Sequence, residues 1–231
     1  MSEGALAGSA GPHVFVASRN QLVLDDDDLI HLERSLRMRD GDPLSVSDGV
    51  GNWAQAVLRA GGIVELTDPW REIPAPETEL TVAFSLVKGS KPELVVQKLT
   101  ELGIDRIVAL MADRSVVRWD DEKVDRATQR WERIVREAAM QSHRVRLPEI
   151  VGVTDSHSFL ASSREAVSLA HFGGEAIGRG NRCVAIGPEG GWSDRELELA
   201  NGRVSLGDTV LRAETAAIAA GVLLAAGRRS G

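Results

Sequence analysis

Cysteine is almost absent from this chain. Cys183 is the one cysteine among 231 residues, and the five histidines are scattered without metal-ligand spacing. An internal disulfide is therefore excluded, and so is a cysteine-based zinc site. Sparse cysteine is typical of proteins in a reducing cytosol. We expect a cytoplasmic protein that binds no metal.

Long hydrophobic runs are also missing. The longest, from Ala216 to Gly227, is rich in alanine and too short to span a bilayer. The first residues, Met1 to Gly11, are small and polar and lack the apolar core of a signal peptide. With 43% hydrophobic residues, the chain can nevertheless bury a core. These features predict a soluble, folded protein with no membrane partner.

An excess of positive charge is lacking as well. Residues 1–75 carry six arginines and no lysine against twelve acidic residues, and the remainder carries 21 basic against 22 acidic groups. Because a nucleic-acid-binding domain usually has a net basic surface, any RNA contact must come from a local patch. One candidate patch is Arg34, Arg37 and Arg39, and the other is Arg126, Arg130 and Arg133 on a predicted long helix. The alternative for both is a solvated surface, with ion pairs such as Glu132 to Arg136 along the helix.

Three widespread catalytic motifs are absent. The chain has no GxxxxGK[ST], no GxGxxG after a strand and no GxSxG. These absences argue against a P-loop nucleotide site, a Rossmann dinucleotide site and hydrolysis by a serine triad. A pocket built mainly from backbone groups is the remaining possibility.

The most informative stretch is a glycine turn after a predicted strand. The apolar run Cys183–Ile186 is followed by Gly-Pro-Glu-Gly-Gly. Gly190 and Gly191 permit positive φ and allow the backbone to approach a ligand closely. Ser193 and Glu196 have the spacing of a capping box, which predicts that a helix begins there.

A second glycine turn follows soon after. A short strand is predicted to end near Ser205, Gly207 makes the turn, and an alanine-rich helix begins at about Glu214. Because the carboxyl ends of parallel strands share one edge of a sheet, we expect both turns to line one pocket. Such a pocket suits a neutral or zwitterionic cofactor, since a triphosphate would call for a lysine in the loop.

Two parts of the chain differ in pattern. Residues 12–67 contain four short strand-like runs and one helix after Asp25–Asp28, which predicts a small β-barrel. Residues 68–79 hold three of the eight prolines and are expected to form a stiff linker. From Leu80 onward strands alternate with helices, which predicts an α/β domain with a mostly parallel sheet covered on both faces. We assign domains to residues 1–75 and 76–231.

Several segments, taken in order, resemble the SPOUT methyltransferases, most closely the RsmE family, which methylates N3 of a uridine in 16S ribosomal RNA. The matching segments are Leu36–Asp42, Lys88–Lys91, Asp113–Val117, Glu137–Ser142, Ile186–Gly191 and Leu206–Ala216. The resemblance extends from about residue 12 to the end. Four positions depart from the family pattern, namely His13, Met140, His143 and Ala213, where arginine, an acid, glycine and threonine are common.

The resemblance implies a fold and a set of partners. These are an N-terminal PUA-like β-barrel that binds RNA, a C-terminal SPOUT domain with a deep trefoil knot, and bound S-adenosylmethionine. It also implies 16S rRNA of the small subunit as substrate, no metal, and a homodimer with shared active sites. The implied cofactor contacts are Ala170, His171, Ile186, Gly187, Gly190, Gly191, Leu206, Gly207, Leu211, Thr215 and Ala216. The implied RNA contacts are Arg34, Arg37, Arg39, Arg130 and Arg133.

Catalysis within this family assignment centres on the second turn. Uracil N3 must lose a proton, so the site should stabilise negative charge on the ring oxygens, and Arg212 is the candidate. A salt bridge from Arg212 to Glu214 that fixes the loop is the alternative. Glu214 and Glu189 are both candidates for the general base. Two other functions stay open: methylation of a ribose 2′-OH or another base, and a catalytically silent RNA-binding module.

Overall fold

The computed structural model describes residues 11–87, 91–163 and 165–229. The chain divides into two compact units, one formed by residues up to Pro76 with 136–147 and the other by residues 77–135 with 148–231. The segment Lys88–Lys91 therefore lies outside the described residues except for Lys91. Within the described part of the chain, none of the helices has the length and hydropathy needed to cross a membrane.

The first unit contains a five-stranded sheet. Its strands are β1 (His13–Phe15), β2 (Pro43–Ser47), β3 (Asn52–Arg59), β4 (Ile63–Leu66) and β5 (Arg71–Glu72). β1 and β2 are parallel, and the other pairs are antiparallel. Alternate residues of β3, namely Ala54, Ala56 and Leu58, are buried in the core of this unit, as period-2 patterning requires. β5 falls within the predicted linker. The linker prediction is therefore wrong there, because Arg71 and Glu72 pair with β3.

The acidic run lies at the start of α1 (Asp26–Ile30), in the connection between β1 and β2. α1 continues as a π-helical turn over His31–Ser35. Asp25 caps α1 by accepting a hydrogen bond from the Asp28 backbone N–H at 2.8 Å. Arg136 donates to the Asp28 carboxylate at 2.6 Å and to the Phe15 carbonyl at 3.0 Å. The expected Glu132–Arg136 pair is thus replaced by a half-buried ion pair inside this unit. Burial raises the pKa of Asp28 in spite of the opposing effect of Arg136.

The departure at position 143 has a backbone explanation. His143 has φ of 54°, in the left-handed region that glycine adopts without strain, which is consistent with glycine being common there. Its ring stacks on His13 with centroids 5.9 Å apart. His13 is buried and shares a hydrogen bond with Ser45 Oγ at 2.9 Å. Burial lowers the pKa of His13 to about 3, so its ring is neutral at physiological pH.

The second unit alternates strands and helices. Its elements are β6 (Thr81–Ser85), α2 (Lys91–Glu101), β7 (Arg106–Met111), α3 (Asp121–Gln141), β8 (Glu149–Asp155), α4 (Ser156–Ser162), β9 (Val167–Ala176), β10 (Cys183–Ile186), α5 (Asp194–Leu199), β11 (Gly202–Ser205) and α6 (Ala213–Arg229). The six-stranded sheet has the order β11-β9-β10-β6-β7-β8, and every pair is parallel. The prediction of an α/β fold with a mostly parallel sheet is confirmed.

Helices cover this sheet on both faces. Val82 and Phe84 of β6 belong to one apolar cluster with residues of α2 and α6, whereas Ala83 belongs to another with Phe159 and Leu160 of α4. Successive side chains of a strand point to opposite faces, so β6 contributes to both cores. This double burial explains why its sequence is a nearly continuous apolar run.

Candidate functional site

The candidate site forms where β9 lies between β10 and β11. Leu169 of β9 is opposite Ala185 of β10 and Arg203 of β11, but the next β11 pair joins Val204 to Glu175. The residues 170–174 are therefore a bulge at the edge where β10 and β11 both end. Because β9 continues to Ala176, Ala170 and His171 lie within this strand, at the start of the bulge.

The first turn depends on glycine for two different reasons. Gly191 has φ of 70°, and its N–H donates to the Pro188 carbonyl at 2.8 Å. Gly190 does not adopt positive φ, which corrects the prediction. A Cβ at Gly190 would instead lie 3.2 Å from Cβ and 3.4 Å from the carbonyl oxygen of Arg114. The requirement at Gly190 is therefore close packing against the loop after β7.

Trp192 joins this turn to the bulge, and no sequence motif pointed to it. Its indole Nε1 donates to the Ala170 carbonyl at 3.2 Å, and its side chain is buried. A Cβ at Gly187 would lie 3.0 Å from the Trp192 ring. Gly187 thus lets the indole pack over the backbone, while Trp192 fixes the first turn to β9. A large aromatic within a glycine-rich turn was the available signal.

A buried carboxylate holds the far end of the turn. The predicted capping box of α5 is confirmed: Ser193 Oγ accepts from the Glu196 N–H, and Glu196 accepts from the Ser193 N–H. Glu196 is fully buried and also accepts from Asp113 N at 3.1 Å and Ser156 Oγ at 2.6 Å. One side chain therefore ties the first turn to the loop after β7 and to α4.

Asp113 extends this network. It accepts a hydrogen bond from Ser193 Oγ at 2.6 Å and pairs with His157 Nε2 at 2.9 Å, and these two contacts lower its pKa. Single ligand atoms of Asp113, His157 and Glu196 lie within 4.8 Å of one another, a spacing compatible with a metal ion. Their carboxylates already accept hydrogen bonds from serine and backbone donors. The group therefore acts as a hydrogen-bonded brace behind the turn.

We expect Glu196→Ala to lower the free energy of unfolding by about 2 kcal/mol or more, since the buried Ser156 Oγ and the partly buried N–H groups of Asp113 and Ser193 lose their acceptor, and a buried donor without one costs about 1–3 kcal/mol. Glu196→Gln should lower the free energy of unfolding by less, because its amide oxygen can still accept hydrogen bonds from two of the donors. Urea denaturation measures the free energy of unfolding of both variants. The matched control is Glu198→Ala on the exposed side of α5, where a change within about 0.5 kcal/mol is expected. A wild-type midpoint for Glu196→Ala would contradict the role of this network.

The second turn combines an open backbone with an apolar base. Gly207 has φ of 140°, and its N–H donates to Ser205 Oγ at 3.3 Å. A Cβ built at Gly207 or at Gly191 meets no protein atom within 4 Å, so space lies beside both turns. Leu206 and Leu211 are half-buried and pack on the main core cluster.

Arg212 and Glu214 follow at the start of α6. The ion pair of Glu214 within the described residues is with Lys91 Nζ of α2, at 3.0 Å, and not with Arg212, the alternative that the sequence left open. Burial raises the pKa of Glu214, but a backbone hydrogen bond and Lys91 outweigh burial and leave the pKa below its usual value. Glu214 Oε2 is buried and lacks a hydrogen-bond partner in the described part of the chain. An ionised carboxylate with a vacant acceptor thus lies beside the second turn.

The other predicted site residues divide into three groups. Ala170, Ile186, Leu206, Leu211 and Ala216 belong to or pack on one apolar cluster, so the fold brings them together. His171 and Thr215 are exposed. Of the predicted RNA contacts, Arg34, Arg37 and Arg39 are exposed in the first unit, and Arg130 and Arg133 are exposed on α3.

Comparison with known proteins places these features in a family. Residues 74–225 match the RNA methyltransferase domain family. Ribosomal RNA small subunit methyltransferase E of Mycobacterium bovis is 34% identical over 221 residues, which cover 86% of this chain and 83% of that protein. The Bacillus subtilis protein of the same name is 29% identical over 217 residues, covering 82% of this chain and 84% of its own.

A solved structure is similar over almost the whole chain. A putative methyltransferase from Legionella pneumophila, in complex with bound S-adenosylmethionine, superposes with a TM-score of 0.80. It is 28% identical, and the match covers 93% of this chain and 96% of that one. This chain therefore belongs to the RsmE family of RNA methyltransferases.

Proposed function

We propose that this protein transfers a methyl group from S-adenosylmethionine to N3 of a uridine in the 16S rRNA of the small ribosomal subunit. The observation that carries the proposal is the vacant, ionised Glu214 acceptor beside the open second glycine turn. Family membership supplies the reaction class, since the chain is similar over most of its length to proteins named ribosomal RNA small subunit methyltransferase E.

The residues around the two turns fit the cofactor. The space beside Gly191 and Gly207 admits a ligand to the backbone, and Ala170, Leu206 and Leu211 provide an apolar surface for its adenine. The further proposed contacts are His171, Ile186, Gly187, Gly190, Thr215 and Ala216. When bound, S-adenosylmethionine supplies the electrophilic methyl group.

The chain's own groups then prepare the acceptor nitrogen. Glu214 Oε2, buried and unpartnered, accepts the proton of uracil N3, and Lys91 holds the other carboxylate oxygen at 3.0 Å. Arg212 donates to a ring oxygen, where negative charge grows as the proton leaves. Because methyl transfer is an in-line displacement, fixing the nitrogen against the methyl carbon supplies much of the rate. Lys91 has a positioning role, since it fixes Glu214.

The finer architectural expectations are part of this proposal. The first unit forms a PUA-like β-barrel that helps to bind RNA through Arg34, Arg37 and Arg39, and the second unit forms a SPOUT domain with a trefoil knot. The all-parallel sheet of the second unit supports the latter assignment. A cytoplasmic location follows from the proposed ribosomal substrate.

We further propose a homodimer. α6 leaves Val222 and Leu223 exposed at 46% and 39%, and Val210 beside Arg212 is exposed at 89%. Exposed apolar side chains next to a site are typical of surfaces that another chain covers. Sedimentation at micromolar concentration should give a dimer, and a monomer under those conditions would contradict a shared site.

The test of the proposed function is nucleoside analysis of 16S rRNA by mass spectrometry. Deleting the gene should remove N3-methyluridine, and the wild-type gene should restore it, whereas an Arg212→Ala copy should not. Loss of a 2′-O-methylated nucleoside instead would replace the proposed target. An unchanged nucleoside profile, together with no binding of S-adenosylmethionine by calorimetry, would favour an RNA-binding module without activity.

A further inference from the structure

A cavity lies in the second unit and is lined by residues outside the two glycine turns. Its volume is about 450 Å³, and it is lined by Val87, Glu93, Val117, Trp119, Lys123, Arg126, Ala127 and Arg130. Pockets for small ligands are typically about 300–1,000 Å³, so it is large enough for one nucleotide. None of the proposed cofactor contacts lines it. The cavity is therefore a separate feature with its own chemistry.

Its charge favours an anion. Three cations, Lys123, Arg126 and Arg130, line the cavity with one carboxylate, Glu93, which is 3.5 Å from Arg130 Nη1. A second carboxylate, Glu122, is not among the lining residues and pairs with Arg126 Nη1 at 3.0 Å. Arg126 and Arg130 have side chains that are 68% and 64% exposed. Solvent screens the ion pairs of these two arginines, which therefore contribute little to the stability of the protein. An incoming phosphate can compete for both guanidinium groups.

Its wall is apolar and aromatic. Trp119 lies under the Lys123 ammonium, which is 4.9 Å from the ring centroid, and packs against Trp131 at 5.9 Å. Val87, Val117 and Ala127 complete the apolar side. A flat indole next to three cations suits a nucleobase joined to a phosphate, since base–aromatic contact combined with backbone cations is how single strands are bound.

The cavity is connected to Glu214 through α2, which carries both a cavity residue and the ion-pair partner of Glu214. Glu93 lines the cavity, and Lys91, two residues earlier in the first turn of α2, pairs with Glu214. β6 and β10 are parallel neighbours, so Val87 and the first glycine turn follow strands that end at the same edge of the sheet. A strand of RNA that places a uridine at Glu214 would therefore have its next nucleotides near this cavity.

We propose that this cavity binds a nucleotide that flanks the target uridine, with its phosphate held by Arg126 and Arg130 and its base against Trp119. The inference rests on the proposed function. The cavity gives the enzyme a contact with single-stranded RNA outside the cofactor site, in a chain whose net charge of −7 offers no general attraction.

The test compares two double substitutions that remove the same charge. Arg126→Ala/Arg130→Ala removes the cavity cations, and Arg179→Ala/Arg182→Ala removes two exposed cations just before β10, at the opposite edge of the sheet. Binding of a short oligouridylate and of 16S rRNA lacking the modification is measured against salt concentration. The cavity variant should have a slope of log K against log salt that is smaller by about 0.7, since the two arginines hold one phosphate and each phosphate contact of a single strand contributes about 0.7. The control should keep the wild-type slope.

Kinetics and aromatic variants complete the test. The cavity variant should raise KM for undermethylated rRNA about 10- to 100-fold with S-adenosylmethionine affinity unchanged. Trp119→Phe should retain RNA affinity, whereas Trp119→Ser should lose about tenfold. If the cavity variant keeps the wild-type slope and KM, the cavity assignment is overturned even if the wild type methylates its rRNA. The same holds if the control variant shows an equal decrease in slope and an equal increase in KM. Failure of the wild type to methylate would instead refute the proposed function, while the oligouridylate slopes would still decide the cavity.

Discussion

Arg212→Lys is expected to lower the single-turnover methylation rate by about 10²–10³-fold while S-adenosylmethionine affinity and melting temperature stay at wild-type values. Removing one preorganised donor to a developing oxyanion has this typical cost. Lysine keeps the charge but lacks the planar fork that can hold an oxygen with two donors. The structure strengthens this expectation, because Glu214 is held by Lys91, so the loop does not depend on an Arg212–Glu214 salt bridge.

The measurements for this variant are single-turnover methylation, calorimetric cofactor affinity and melting temperature. The matched control is Arg203→Lys, the same change at an exposed position on β11, which should leave all three unchanged. If Arg212 only braces the loop, the variant will lose cofactor affinity and thermal stability together with activity. Intact turnover with intact binding would remove Arg212 from the site.

Gly190→Val should abolish detectable binding of S-adenosylmethionine. A Cβ at Gly190 already lies 3.2 Å from Arg114 Cβ, and the two methyl groups of valine would force the first turn away from the loop after β7. Since Arg114 also donates to the Gly190 carbonyl at 3.3 Å, the displacement would break that hydrogen bond. The turn would then lose the shape that its backbone groups need for the cofactor.

The control for this prediction is Gly180→Val. A Cβ at Gly180 meets no protein atom within 4 Å, so the same substitution there should leave cofactor affinity unchanged. Calorimetry on both variants, with melting temperatures to confirm folding, gives the comparison. Wild-type affinity in a folded Gly190→Val protein would show that the first turn does not contact the cofactor.

Local signals in the sequence were sufficient for several elements of this site. Residues close in the chain determine three of these elements: the capping box at Ser193 and Glu196, the buried strand Cys183–Ile186, and the alternation of strands with helices. The hydrogen bonds and the periodicities involved span at most a few residues, which is why the pattern alone predicted them. The assignment to a methyltransferase family also followed from motifs that lie within short segments.

Contacts between distant segments were outside the reach of the sequence. The partner of Glu214 is Lys91, the partner of Arg136 is Asp28, and the neighbour that restricts Gly190 is Arg114. Each pair joins residues far apart in the chain, and many other partners were equally compatible with the composition. In the second unit the order of the parallel strands, which places β10, β6 and β7 side by side and bulges β9 at 170–174, decided which loops meet, whereas the Arg136–Asp28 pair depends on packing within the first unit.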